Sequence, residues 1–239
     1  MSFYHNRPTI HFVNRLTAAT FRHRTNRFVA LVDVNGHPTL AHVANTGRLR
    51  ELLVPGVTVW LANASREGRR TSWDLVIVEH GEQLVSVDSR LPNHLVGIAF
   101  GEGAIPMLAG YPGCRAEVTY GSSRFDFRLD GPDGTCFLET KGVTLVVGDR
   151  RARFPDAPTI RGARHLRELA SYAREGGAAA AIFVVQRADA VAFAPNDASD
   201  PAFAHALRQA ADDGVRVAAF RCVVTTEAIT LGDELPVIL

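Results

Sequence analysis

The chain has 239 residues, 46% of them apolar, enough to bury one large core or two modest ones, which argues against disorder. Formal charge is only +1, with 26 basic and 25 acidic residues, so bulk charge does not demand a polyanionic partner. Cys114, Cys136 and Cys222 are too few and too far apart for a disulfide framework or a paired zinc ligand set, and they read as buried thiols in a reducing compartment.

His5, Asn6, Arg7 and Pro8 leave no room for an export-signal core, and no apolar run approaches the length needed to span a bilayer. No membrane association and a cytoplasmic location are therefore expected. Residues 27–34 form a β-type run closed by Asn35-Gly36, a type I′ hairpin signal, with 39–43 as the return strand. After Asn45-Thr46-Gly47 comes a short helical stretch, 48–53, stopped by Pro55-Gly56. Residues 57–61 and 73–79 are two further strands joined by a polar, basic loop. These short strands around one helical turn predict an OB-type β-barrel over residues 1–82.

From residue 83 the pattern changes to a strand at 84–87 and a helix starting near Pro92. Strands follow at 115–120, 125–129 and 135–138, the last running on towards Val147, with hairpin-type turns between them. Thr159 caps a helix reaching Tyr172; 178–185 is a buried strand, 201–212 an amphipathic helix and 215–222 a final strand. This order makes 83–239 an α/β domain with a mixed sheet.

Charge is unevenly spread. Residues 1–80 carry ten Arg against five acids, and the other 159 residues carry sixteen bases against twenty acids. Of the 26 bases, 25 are Arg and one, Lys141, is Lys. Under such a bias the one remaining ammonium reads as a position that needs Lys rather than Arg, the alternative being that chance left a single Lys there. Strand alternation places Asp126 opposite Phe125 and Phe127, and puts Glu139 and Lys141 on one face of the next strand. If those strands pair, the three side chains converge. Asp126 and Glu139, with Glu117 from the preceding strand, are then hard oxygen ligands for Mg²⁺ or Mn²⁺, and Lys141 holds a water or stabilises charge on a phosphorane-like transition state. The same residues on adjacent strands also make ordinary cross-strand ion pairs, and spacing alone leaves both readings open.

Several blocks carry a family resemblance: Asn45-Thr46-Gly47-Arg48-Leu49, Thr71-Ser72-Trp73-Asp74-Leu75, Glu139-Thr140-Lys141-Gly142, Phe154-Pro155-Asp156-Ala157-Pro158-Thr159, and the run from Arg161 to Leu169. Over essentially its full length the chain resembles the sugar fermentation stimulation protein A family, SfsA. That resemblance implies an N-terminal OB-type domain and a PD-(D/E)XK nuclease-like domain with a mixed sheet, with DNA binding and a DNA or RNA nuclease activity. Carried over by position, Asp126 is the acid of the second strand, and Glu139 with Lys141 is the Glu-x-Lys of the third. Where relatives carry Pro before Asn-Thr-Gly this chain has Ala44, and Val96-Gly97-Ile98 replaces a charged helix segment, which leaves Glu117 as the third ligand.

Arg161, Arg164, His165 and Glu168 recur at helical spacing, a stripe suited to phosphates or to orienting the metal-site carboxylates, and equally a solvated face. Arg24 and Arg27, Asn45, and Arg66, Arg69 and Arg70 ahead of Trp73 suit a nucleic-acid groove in the first domain, with Trp73 more at home in the barrel core. The sequence thus points to a metal-dependent DNA or RNA phosphodiesterase. Its rival is a non-catalytic DNA-binding regulator of sugar metabolism that keeps a nuclease fold.

Overall fold

The computed structural model describes residues 7–239. Residues 1–6, on which part of the export-signal reading rests, lie outside the described residues. After β1 (Thr9–His11), six strands build a sheet of their own: β2 (Thr17–Asn26), β3 (Val29–Val34), β4 (His37–His42), β5 (Thr58–Asn63), β6 (Trp73–His80) and β7 (Gln83–Ser86). Their order is β4-β3-β2-β5-β6-β7, and β4 also pairs with β6. That second pairing closes β2 to β6 into a five-stranded barrel of OB type. Asn35 and Gly36, at φ 51° and 84°, make the two-residue turn that the sequence predicts, with Val34 paired to His37. Residues 48–53 make a single hydrogen-bonded turn rather than a helix, but it places Leu49 and Leu52 in the barrel interior with Val32, Val59 and Leu61. Trp73 packs against this interior.

The second half contains α1 (Leu91–Gly101), β8 (Gly113–Tyr120), β9 (Ser123–Gly131), β10 (Gly134–Val143), β11 (Arg151–Phe154), α2 (Ile160–Arg174), β12 (Ala178–Val185), β13 (Ala192–Pro195), α3 (Pro201–Asp212), β14 (Arg216–Val224) and β15 (Ala228–Leu235). A seven-stranded mixed sheet runs β1-β15-β14-β12-β10-β9-β8, parallel across β10, β12 and β14 and antiparallel elsewhere. β11 and β13 form a separate parallel pair. The apolar run of β12 is explained by burial on both faces. Ala180, Ile182 and Val184 meet Leu95, Val96 and Ala99 of α1 on one side. Ala179, Ala181, Phe183 and Val185 meet Leu166 and Leu169 of α2 and Phe203 and Leu207 of α3 on the other. Each such leucine contributes roughly 1.5–3 kcal/mol when fully buried.

Caps set where the helices begin. The Thr159 side chain accepts the Gly162 N–H at 3.0 Å. Asp200 accepts the Phe203 N–H at 3.0 Å and, with its other oxygen, the Thr159 N–H at 2.7 Å, so one carboxylate caps α3 and ties it to the start of α2.

Several expectations change. The division after residue 82 is not where the sheets divide, because β7 pairs with β6 and belongs with the barrel, while β1 pairs with β15 at the edge of the second sheet. Phe125 and Phe127 do not share a face: Phe125 packs beneath α2 and Phe127 beneath α1. The ladder between β8 and β9 is interrupted at Glu117 and Asp126, and Glu117 takes a positive φ of 56°. Cys136 and Cys222 are buried free thiols as expected, but Cys114 is exposed on the edge strand β8.

Candidate functional site

The site lies where β10 loses one neighbour. Its pairing with β9 ends at Leu138 opposite Phe127, whereas its pairing with β12 continues to Val143 opposite Val185. From Glu139 onward one edge of β10 is therefore free, and a side chain takes over: Asp126 Oδ2 accepts the Thr140 N–H at 2.7 Å. Asp126 Oδ1 accepts from Asn93 Nδ2, also at 2.7 Å, bringing in the first turn of α1. Glu139 is buried, and its Oε1 accepts from both Lys141 Nζ and His165 Nδ1, the latter at 2.6 Å. Glu139 Oε2 is buried without a hydrogen-bond partner. Gly142 is required directly after Lys141, because a Cβ there would lie 2.7 Å from Gln186 Oε1 and 2.9 Å from Pro92 Cγ.

These residues line a cleft of about 1020 Å³ between the barrel and the α/β domain. One wall is the barrel turn 45–50, and another is the segment 153–159 that runs from β11 into α2. Asp156 joins the walls: its Oδ2 accepts the Arg48 N–H at 2.7 Å and the Leu49 N–H at 3.2 Å.

The two carboxylates differ electrostatically. Burial and then the charge of Glu139 push the Asp126 carboxyl up, against Lys141 and the bonds from Thr140 and Asn93. Burial works the same way on Glu139 but is outweighed by the His165 hydrogen bond and by Lys141, which hold its carboxyl below the usual range. Glu139, buried, and Asp126, half-buried, face one ammonium, and a cation between them would relieve the repulsion that raises Asp126. The donor chemistry fits Mg²⁺ or Mn²⁺: hard carboxylate oxygens, one of them unpartnered. No cluster of three or more His, Cys, Asp or Glu suited to a metal occurs among the described residues. Water and phosphate oxygens would have to complete the shell.

The other expected residues divide. Glu117 does not join: its side chain is exposed and paired with Arg124, because the local irregularity of β8 turns it to solvent. Arg27, Asn45 and Arg161 line the cleft, joined by Arg48, Arg50 and Arg153, to which sequence reasoning assigned no role. Arg24 lines it as well, but its guanidinium is occupied by the carbonyls of Arg27, Asn45 and Gly47, so it shapes the turn. Asn45 accepts the Gly47 N–H and donates to the Val87 carbonyl. Arg69 is held by Asp74, and Arg66 and Arg70 are exposed on a loop outside the cleft lining. Arg164 is exposed outside it too, and His165 is buried at 1% exposure, unable to reach a strand of nucleic acid.

Asn93 and Asp156 were missed. Asn93 lies one turn before Val96-Gly97-Ile98, and an amide does not read as part of a metal site. Asp156 had a signal, since it stands between Pro155 and Pro158 in one of the blocks that carry the family resemblance.

A closed OB barrel docked on a mixed α/β sheet that carries Asp126 and Glu139-Thr140-Lys141 defines a two-domain protein, an OB-type barrel followed by a mixed-sheet α/β domain. The sugar fermentation stimulation protein RE domain matches residues 90–228 and the SfsA N-terminal OB domain matches 23–87, and the chain belongs to the SfsA family. Sugar fermentation stimulation protein homologs of Chloroflexus aurantiacus and Moorella thermoacetica are each 46% identical, over 93% and 90% of this chain and 85% and 94% of their own. The solved structure of Pyrococcus furiosus SfsA in complex with Ca²⁺ has a TM-score of 0.86 at 31% identity, covering 95% of this chain and 97% of that one. No helix among the described residues is long and apolar enough to cross a membrane.

Proposed function

We propose that this protein is a metal-dependent phosphodiesterase that binds DNA or RNA in the cleft between its domains and cuts it there. The observation that carries this reading is the buried, unpartnered Oε2 of Glu139, in a cleft also lined by Asp126 and Lys141. Burying a carboxylate oxygen without a partner is costly, and a bound cation would remove that cost. The Ca²⁺ complex of the Pyrococcus furiosus relative supports a divalent ion in this family. When bound, Mg²⁺ or Mn²⁺ polarises a phosphoryl oxygen and lowers the pKa of a water.

The protein's own residues do the rest. Asp126 and Glu139 present the oxygens, with Asn93 and the Thr140 N–H fixing Asp126. Lys141, mostly buried beside Glu139, donates to a water or a phosphoryl oxygen as charge builds in the transition state. Arg27, Arg48, Arg50 and Arg161 neutralise phosphates along the cleft, and Arg24 keeps the barrel turn in shape.

The test is cleavage of single- and double-stranded DNA and RNA with Mg²⁺ or Mn²⁺, comparing wild type with Lys141→Ala. Removing a positioned charge donor of this kind lowers turnover by roughly 100-fold or more. Cleavage that survives unchanged in Lys141→Ala would remove Lys141 from the mechanism. Salt-dependent binding with no cleavage of any substrate would favour the non-catalytic regulator.

A further inference from the structure

His165 is a polar ring with 1% exposure on the buried face of α2, beside Gly162, Leu166 and Leu169. A histidine among apolar neighbours is usually satisfied within the core, but both nitrogens of this ring point to the site. Nδ1 lies 2.6 Å from Glu139 Oε1, and Nε2 accepts from Arg161 Nε at 3.3 Å. A guanidinium only donates, so Nε2 must present its lone pair and Nδ1 must carry the ring proton. Phe125 packs edge-on against the ring at 5.7 Å between centroids and fixes its plane. The chain of donors is therefore directional: Arg161 to His165 to Glu139.

The destination matters. Lys141 donates to the same oxygen, Oε1, so both donors hold one side of the carboxylate and Oε2 receives none. A carboxylate without these donors could rotate about its terminal torsion, which is broad and nearly two-fold, and would present either oxygen or neither. The arrangement spends two donors on one oxygen and keeps the other bare.

We propose that His165 is a positioning residue: its Nδ1–H, together with Lys141, locks Oε1 of Glu139 so that Oε2 is preset to bind a divalent cation. This rests on reading Asp126 and Glu139 as cation ligands. Partners of this kind change metal affinity by about 10- to 100-fold in other proteins.

The test titrates the full-length protein with Mn²⁺ and follows free Mn²⁺ by electron paramagnetic resonance, with no nucleic acid present. His165→Leu fills the space against Phe125 without a donor, and His165→Asn keeps an N–H near the Nδ1 position. The expected result is Mn²⁺ binding weakened at least tenfold in His165→Leu and largely recovered in His165→Asn, a recovery that mere packing would not produce. In the wild type, a ¹⁵N-resolved spectrum of the histidine rings is expected to show His165 protonated on Nδ1, a readout that stands if His165→Leu fails to fold. A loss below tenfold, an Asn variant no better than Leu, a ring protonated on Nε2, or wild-type Mn²⁺ affinity unchanged by Glu139→Gln overturns the assignment. Mn²⁺ results as expected in a protein that cuts nothing would sink the nuclease reading and leave the role of His165 standing.

Discussion

The contact between Asp156 and the barrel turn can be broken from either side, and the two breaks must not add. Removing the carboxylate in Asp156→Ala loses two hydrogen bonds to backbone N–H groups, at 2.7 and 3.2 Å from Arg48 and Leu49. Bonds to a charged group are worth about 1.5–3 kcal/mol each when buried, and Asp156 is half-buried, so the loss should be about 2 kcal/mol. Gly47→Ala attacks the same contact sterically. Its Cβ would lie 2.7 Å from Asp156 Oδ2, 3.2 Å from Oδ1 and 2.9 Å from Asn45 Oδ1. Gly47 is not among the residues at positive φ, so alanine brings no backbone strain and only the overlap counts. Overpacking of this kind costs about 1–3 kcal/mol. Once Asp156 is gone, only the Asn45 contact remains. The double variant should therefore lose about 1 kcal/mol less than the sum of the single losses, measured by urea unfolding at pH 7. Additivity within about 0.3 kcal/mol would show that the latch does not exist in solution.

Two further outcomes follow from the charges. Burial alone would raise the Asp74 carboxyl, but hydrogen bonds from Arg69 and Arg90 prevail and hold it below the ordinary range. A lowered folded value means stability that is fully present above the unfolded value, near pH 4, and is lost as pH falls through the folded one. The stability gap between wild type and Asp74→Asn should thus be widest at neutral pH and narrow below about pH 4; a gap independent of pH would refute it. For nucleic acid, Arg27→Ala and Arg161→Ala, both on the cleft lining, should each reduce the salt slope of binding by about 1. Arg66→Ala and Arg70→Ala, outside it, should leave the slope unchanged, and equal effects from both pairs would move the binding surface off the cleft.

How far the sequence could be read depended on how local each signal was. The Asn35-Gly36 turn, the doubly buried β12 and the Asp200-capped α3 carry their causes within a few residues, and all three appear where the pattern put them. β2 was missed because its outer half, Arg22 to Asn26, is polar and mostly exposed on the barrel surface. β15 hides for a similar reason, with Gly232, Asp233 and Glu234 in its second half. In the site, two-residue spacing was enough to bring Glu139 and Lys141 together. The burial of His165 was not legible, because it depends on how α2 sits over Phe125, and the outward turn of Glu117 depends on a break in a ladder that no propensity announces.

The pairing of β1 with β15 joins Thr9 to Thr230 across nearly the whole chain. During synthesis the barrel strands, complete by Ser86, are available long before the sheet that β1 will edge. Until residues 228–230 emerge, β1 has no partner strand, and its pairing is among the longest-range contacts of the described residues. A chain truncated before β15 would present two open sheet edges at once, β14 and β1, so its characteristic failure should be strand-to-strand association rather than simple loss of structure.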